Sequence, residues 1–208
     1  MQRVNITNNF IGLDLGQRRD HTALAVFSAV EWIVGRDPVT YSWIKHQEFR
    51  ISHLDRIPLG VPYTKVPGMV RERVIEANLT AKVTIAVDAS GPGLPVADLL
   101  RHSDLPASVL PVIITGGSGN SKVPNKGVYT IPRKDILTLL RIAIESRRLK
   151  APRNLAMRDE FLDELANLGA ESSSHTRDHD DLVFAVALAL WAATVRDPAL
   201  LKPSGLSP

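Results

Sequence analysis

No cysteine occurs among the 208 residues. That absence excludes disulfides, thiolate-held zinc and a thiol nucleophile, and it suits the cytoplasm. No export leader is expected either, since "MQRVNITNNF" lacks the apolar core that secretion needs. The longest apolar run, Leu182 to Val195, has 14 residues. It is too short to cross a bilayer, so a buried helix is expected and no membrane partner. Repeats, low-complexity blocks and dividing linkers are also lacking. One domain over residues 1–208 is therefore expected, with its core at about 10–195 and a loose tail at 197–208.

A phosphate-cradling loop is the next thing missing. A Walker A loop needs G-x-x-x-x-G-K-[ST], so that backbone N–H groups surround the phosphates. "GGSGNSKV", Gly116 to Val123, has Ser121 where Gly is required and Val123 where Ser or Thr is required. The same stretch fails G-x-G-x-x-G. No ATPase domain is expected.

What is present is an ordinary globular composition, 44% hydrophobic and 23% charged, with a net charge of only +3. Basic residues nevertheless cluster: Arg18 with Arg19, Arg71 with Arg73, Arg133 with Lys134, and Arg147, Arg148, Lys150 and Arg153. Clusters of this kind suit a phosphate-rich partner, although solvated surface is the simpler reading of any one pair.

Three β-rich stretches come first: "FIGLDLG", "HTALAVFSAVEW" and "VTYSWIKHQEFRI". They predict an antiparallel meander, with a turn at "RDP". "MVRERVIEAN" predicts a helix, and "KVTIAVDAS" a fourth strand buried on both faces. "GPGLPVADLLRH" predicts a second helix, "SVLPVIIT" a fifth strand and "GGSGNSKVPNKG" a flexible loop. "PRKDILTLLRIAIESRRL" is amphipathic, with Ile136, Leu140, Ala143 and Ile144 on one face. "MRDEFLDELANLG" predicts another helix ending at Gly169. The order implies an α/β fold, with a mixed five-stranded sheet and helices on both faces.

The acids then fall in suggestive places. Asp14 closes the first strand and Asp88 the fourth, and sites in open α/β sheets form beyond strand carboxyl ends. Asp180 and Asp181 head the apolar final run in "HDDLVFAVALALW". The bland reading of that pair is helix capping, because Asp accepts a bond from an orphan helix N–H. One cap explains one aspartate, not Asp178, Asp180 and Asp181 together. Likewise a lone strand-end Asp is commonly a turn former. Asp20 is expected to cap a turn, and His179 to be a surface residue or a neighbour of the site. Asp135 is expected to be a first-turn acid, and Asp98 and Asp104 to be surface.

Were Asp14, Asp88, Asp180 and Asp181 to converge, they could not all stay ionised unaided. A hard divalent cation resolves the conflict, and oxygen-only ligands suit Mg²⁺ or Mn²⁺ rather than zinc. Two such ions roughly 3.5–4 Å apart would clamp the attacking and leaving oxygens of a phosphodiester displacement. All four aspartates are thus candidate catalytic and metal-holding residues.

Together "IGLDLGQRRDHTALAVF", "IAVDASGPGLPVADLL", "YTIPRKDILTLLRIAIESRRLKAP" and "HDDLVFAVALALW" resemble the nuclease domain of phage large terminase subunits. The "RIPLGVPYT" loop looks like one in phage and prophage members. The resemblance runs from about Phe10 to about Val195 and implies a ribonuclease-H-like fold. It implies two Mg²⁺ or Mn²⁺ ions, double-stranded DNA as substrate and a role in genome packaging in the bacterial host cytoplasm. Asp14 would match the first-strand ligand, Asp88 the second acid, and Asp180 and Asp181 the pair heading the last helix. Lys122, Arg133 and Lys134 would lie on segments that reach the DNA backbone. Large terminases carry a packaging ATPase, which is not expected here: the sequence is then a nuclease domain, one part of a terminase split between genes, or a free-standing relative. A separate packaging ATPase, a small terminase subunit or a portal are the partners the resemblance implies.

Other classes compete. A "DLG" near the start also opens actin-like sugar kinases, but those need two such domains and more residues than this chain has. A free-standing ribonuclease-H-like nuclease, a Holliday-junction resolvase and a non-catalytic DNA-binding or assembly module share the fold. Metal binding and substrate preference separate them.

Overall fold

Alternation sorts the first strand, β1 (Asn5–Asp14), onto two faces. Ile11 and Leu13 enter one apolar cluster. Phe10 enters the other, and Gly12 and Asp14 share its side of the sheet. These facts come from a computed structural model that describes residues 5–16, 20–78, 81–91, 93–117, 122–125, 127–169 and 180–196. Arg18, Arg19, Asp178, His179 and the tail from Asp197 lie outside the described residues.

β2 (Thr22–Arg36) and β3 (Trp43–Ile57) complete the antiparallel meander. The turn between them is longer than "RDP" alone, because the Asp37 carboxylate accepts the amides of Val39 and Thr40. The third strand consequently starts at Trp43 rather than Val39. β4 (Lys82–Asp88) pairs parallel to β1, and β5 (Ala107–Thr115) parallel to β4. β7 (Val128–Pro132) pairs parallel to β5, β6 (Lys122–Asn125) antiparallel to β7, and β8 (Leu149–Lys150) parallel to β3.

The mixed sheet matches expectation, but its size does not. Among the described residues it has eight strands, in the order β6-β7-β5-β4-β1-β2-β3-β8, where five were expected. The three additional strands have four, five and two residues. Runs so short carry almost no periodic signal, and they exist because a neighbouring edge offers hydrogen bonds. β6 lies inside the stretch expected to be a loop. β8 forms because α3 (Arg133–Glu145) ends early, with Arg147 at a positive φ of 56° turning the chain back to the sheet.

Helices cover both faces, as the element order implied. α1 (Val66–Asn78) and α2 (Gly93–His102) bury Val66, Val70, Val74, Val96 and Leu100 against one side. α3, α4 (Arg158–Gly169) and α5 (Asp181–Arg196) cover the other. α3 buries Ile136, Leu140 and Ala143 as its periodicity predicted. The run from Asp181 to Ala193 is buried on every side, which explains why α5 has no polar stripe. At 16 residues, α5 is too short to cross a membrane, and no other described helix is long and apolar enough to do so.

Gly12 sets how deeply α5 sits. A Cβ built there would stand 1.8 Å from the Ala185 carbonyl oxygen and 2.7 Å from the Ala189 amide nitrogen. The helix backbone therefore rests directly on the β1 backbone, two residues from Asp14.

Candidate metal centre

The parallel strands β1, β4, β5 and β7 all end at the same edge. Leu13 pairs with Val87, Asp88 with Val112, and Thr115 with Pro132. Asp14 and Asp88 follow the first of these pairs, and Arg133 follows the last at the start of α3. Phe10, Gly12 and Asp14 of β1 and the Ala86–Asp88 side of β4 face α5, whose first turn closes the group from above. The result is a cavity of about 310 Å³ lined by Asp14, Asp88, Ser90, Thr115, Arg133 and Asp180, with Phe184 beneath Arg133.

Each side chain is held by local physics. Asp88 accepts the Ser90 amide at 2.8 Å, forming the turn a strand-end aspartate commonly makes. The turn reading and the site reading of Asp88 therefore hold together. Asp180 occupies the N-cap position of α5, since its carbonyl accepts the Phe184 amide. Its carboxylate does not serve as the cap. It takes a charge-assisted bond of 2.5 Å from Arg133 Nη2, and that guanidinium lies 4.1 Å from the Phe184 ring centroid. The third amide of the helix, Val183, donates instead to Glu164 Oε2 at 3.0 Å. A residue from another helix thus does the capping, and Asp180 is left to face the cavity.

Asp181 is buried and set back from the lining, with Oδ2 3.9 Å from Arg56 Nε. Arg56 also pairs with Glu164. Asp14, Ala23 and Arg56 are matched across three adjacent strands, so Arg56 emerges on the α5 face in the same row as Asp14.

Electrostatics mark Asp14 as the centre. Its carboxyl is pushed well above the ordinary carboxylate range, first by burial and then by the charges of Asp88, Asp181 and Asp180, with Arg133 opposing. Glu164 is also raised, by burial above all, against the bonds from Val183 and Arg56 that favour its charged form. Burial together with three neighbouring carboxylates is a setting in which a positive counter-charge relieves the strain on Asp14.

The structure therefore brings Asp14, Asp88 and Asp180 to one cavity and places Asp181 just behind. Among the described residues, no trio of carboxylate or imidazole groups is yet drawn together at chelating distance. Arg133 occupies the side of Asp180 instead. The donor set still fits a hard divalent cation, because every acid is an oxygen ligand and their mutual repulsion is what such a cation relieves. Lys134 is exposed on the first turn of α3 and does not line the cavity. Lys122 begins β6, and its side chain lies outside the described residues. Asp135 sits in the first turn of α3, and Asp98 and Asp104 are exposed, as expected. Arg56, Glu164 and Ser90 were not anticipated. None of them stands in a spacing that signals its role.

No family model matches the chain, and no curated protein sequence matches it. Solved structures do. The human cytomegalovirus terminase nuclease domain, soaked with Mn and inhibitor-bound, superposes with a TM-score of 0.57 at 17% identity, over 91% of this chain and 84% of that one. Without those additions it superposes at 0.55 and 15% identity, over 90% and 83%. The large terminase nuclease of thermophilic phage G20c, with bound zinc, gives 0.50 at 19% identity, over 87% and 78%. The chain has the ribonuclease-H-like fold of terminase nuclease domains.

Proposed function

We propose that this protein is a metal-dependent endonuclease that cuts double-stranded DNA, and that it is the nuclease part of a phage or prophage packaging terminase. The observation that carries the reading is the meeting of Asp14, Asp88 and Asp180 in one cavity beside Arg133. The fold shared with terminase nuclease domains, one of them soaked with Mn, supports it.

Asp14, Asp88 and Asp180, with Asp181 behind, would hold one or two Mg²⁺ or Mn²⁺ ions. Bound there, such ions supply a lowered water pKa and a sink for the charge on the leaving 3′ oxygen. Asp14, from the centre, orients the group. The Ser90 amide fixes one oxygen of Asp88, so its carboxylate cannot swing away. Arg133 is poised to exchange its carboxylate partner for a DNA phosphate once Asp180 has another counter-charge. Contacts of that kind grip the backbone and carry little sequence preference. A separate packaging ATPase, a small terminase subunit or a portal would deliver the DNA.

The purified protein is expected to nick and linearise supercoiled plasmid when Mn²⁺ is supplied, and to lose that activity in EDTA. Its unfolding temperature should also rise in millimolar Mn²⁺, because a ligand that binds only the folded state stabilises it. A protein that neither cuts plasmid nor gains stability in Mn²⁺ is an inert scaffold, and the reading fails.

A second expectation concerns Arg133. In a cleavage-dead Asp14→Asn background, adding Arg133→Gln should weaken duplex binding at every sequence alike. The slope of log affinity against log salt should become shallower by about 0.9, the loss of one phosphate contact. Fluorescence anisotropy of a labelled duplex across a salt series measures this. An unchanged slope removes Arg133 from the DNA interface.

A further inference from the structure

Glu164 is a fifth carboxylate beside the acidic group, and cation binding as described leaves it without a task. It is only 5% exposed. Burying a carboxylate is costly unless its oxygens are bonded, so its partners reveal what it is for. Oε1 accepts from Arg56 Nη2, and Oε2 accepts the Val183 amide at 3.0 Å. Both oxygens are thus turned to protein donors, which makes Glu164 a poor cation ligand.

Its partners share one location. Val183 is the third residue of α5, where an amide normally depends on a capping side chain. Arg56 reaches on from Glu164 towards Asp181, with Nε 3.9 Å from Oδ2. The two residues thus join α4, β3 and the first turn of α5. That turn carries Asp180, which faces Asp14 and Asp88, and Asp181 just behind it, and like charges so placed repel one another. Helix ends fray readily, and unwinding one turn here would carry Asp180 out of the cavity.

We propose that Glu164 is a positioning residue. With Arg56 it clamps the first turn of α5, and so holds Asp180 and Asp181 at the height and rotation that divalent-cation binding requires, without touching the cation. The inference rests on the metal-binding reading above.

The test is calorimetric titration of the full chain with MnCl₂, beside thermal unfolding without metal. Glu164→Ala should weaken Mn²⁺ binding by about tenfold or more, the usual consequence of losing a residue that orients a ligand. Glu164→Asp is one carbon too short to span both donors and should weaken it in the same direction. It decides the matter if the alanine variant does not fold. Glu164→Gln offers one acceptor oxygen to two donors and turns an amide NH₂ towards the other, so it should also weaken Mn²⁺ binding, though less than alanine, because one of the two bonds survives. Val70→Ala, a core truncation on the opposite face of the sheet, should lower the unfolding temperature yet leave Mn²⁺ binding unchanged.

If Glu164→Ala and Glu164→Asp bind Mn²⁺ as wild type does while Asp14→Asn does not, the clamp is wrong and the nuclease reading stands. Equal weakening by Val70→Ala also overturns the clamp, since the effect would then be general destabilisation. If wild type itself takes up no Mn²⁺, both proposals fall together.

Discussion

Asp14→Asn is expected to abolish plasmid cleavage in Mn²⁺, by at least roughly 10²–10³-fold as judged from the loss of other preorganised charge-stabilising groups. Its unfolding temperature without metal should nevertheless rise. Asp14 lies at the crowded centre of the acids, and its carboxyl is raised well above the ordinary range by burial and by Asp88, Asp181 and Asp180. A raised carboxyl binds a proton more tightly when folded than when unfolded. Between the unfolded value near 3.8 and the higher folded value, the native state holds more protons. Stability must then fall as pH climbs through that window. Asp14 thus contributes less and less to stability as pH rises through that window, and asparagine removes the conflict at little change in size. Wild type should gain stability as the pH of the metal-free protein is lowered through that window, and Asp14→Asn should show less of that gain. Thermal unfolding across pH measures it, in the presence of EDTA. A variant that cuts plasmid as well as wild type would remove Asp14 from the reaction, whatever its stability.

Gly12→Val is expected to be the most damaging single substitution in the first strand. The constraint is the contact between two backbones, because a Cβ at residue 12 would meet the Ala185 carbonyl and the Ala189 amide. Neither atom belongs to a flexible side chain that could move aside. α5 must therefore lift from the sheet, and forcing added methylenes into a packed core costs about 1–3 kcal/mol, with more expected where the backbone itself has to shift. Lifting α5 also draws Asp180 away from Asp14, so the Mn²⁺-dependent rise in unfolding temperature should shrink along with the stability. Urea unfolding with and without Mn²⁺ reports both effects. Gly68→Ala is the matched control. A Cβ there meets nothing within 4 Å, and the position is helical, so the change should be neutral or stabilising by about 0.5–1 kcal/mol. Equal behaviour of the two variants would show that the close approach at Gly12 does not govern the site.

The longer elements were legible because their residues announce their surroundings. "KVTIAVDAS" is apolar and β-branched, and it became a strand covered on both faces. α3 shows its buried stripe in Ile136, Leu140 and Ala143. The acids at strand ends and at the mouth of α5 could be chosen from position alone, since parallel strands deliver their last residues to one edge. β6, β7 and β8 were not legible, because two to five residues pair only when a neighbouring edge is waiting for them. Glu164 and Arg56 were hidden for a related reason. They lie 108 residues apart and meet only across the folded sheet.

The chain on its own determined its fold class, the two-sided burial of its sheet and the acids that would gather, because hydrophobic period and element order act locally along the sequence. Only the tertiary structure decided that Glu164 caps α5, that Asp180 is thereby turned to Arg133 and the cavity, and that Asp181 stands behind. Those choices are settled by which donors lie within hydrogen-bond reach, and reach is a property of packed elements rather than of neighbours in the chain.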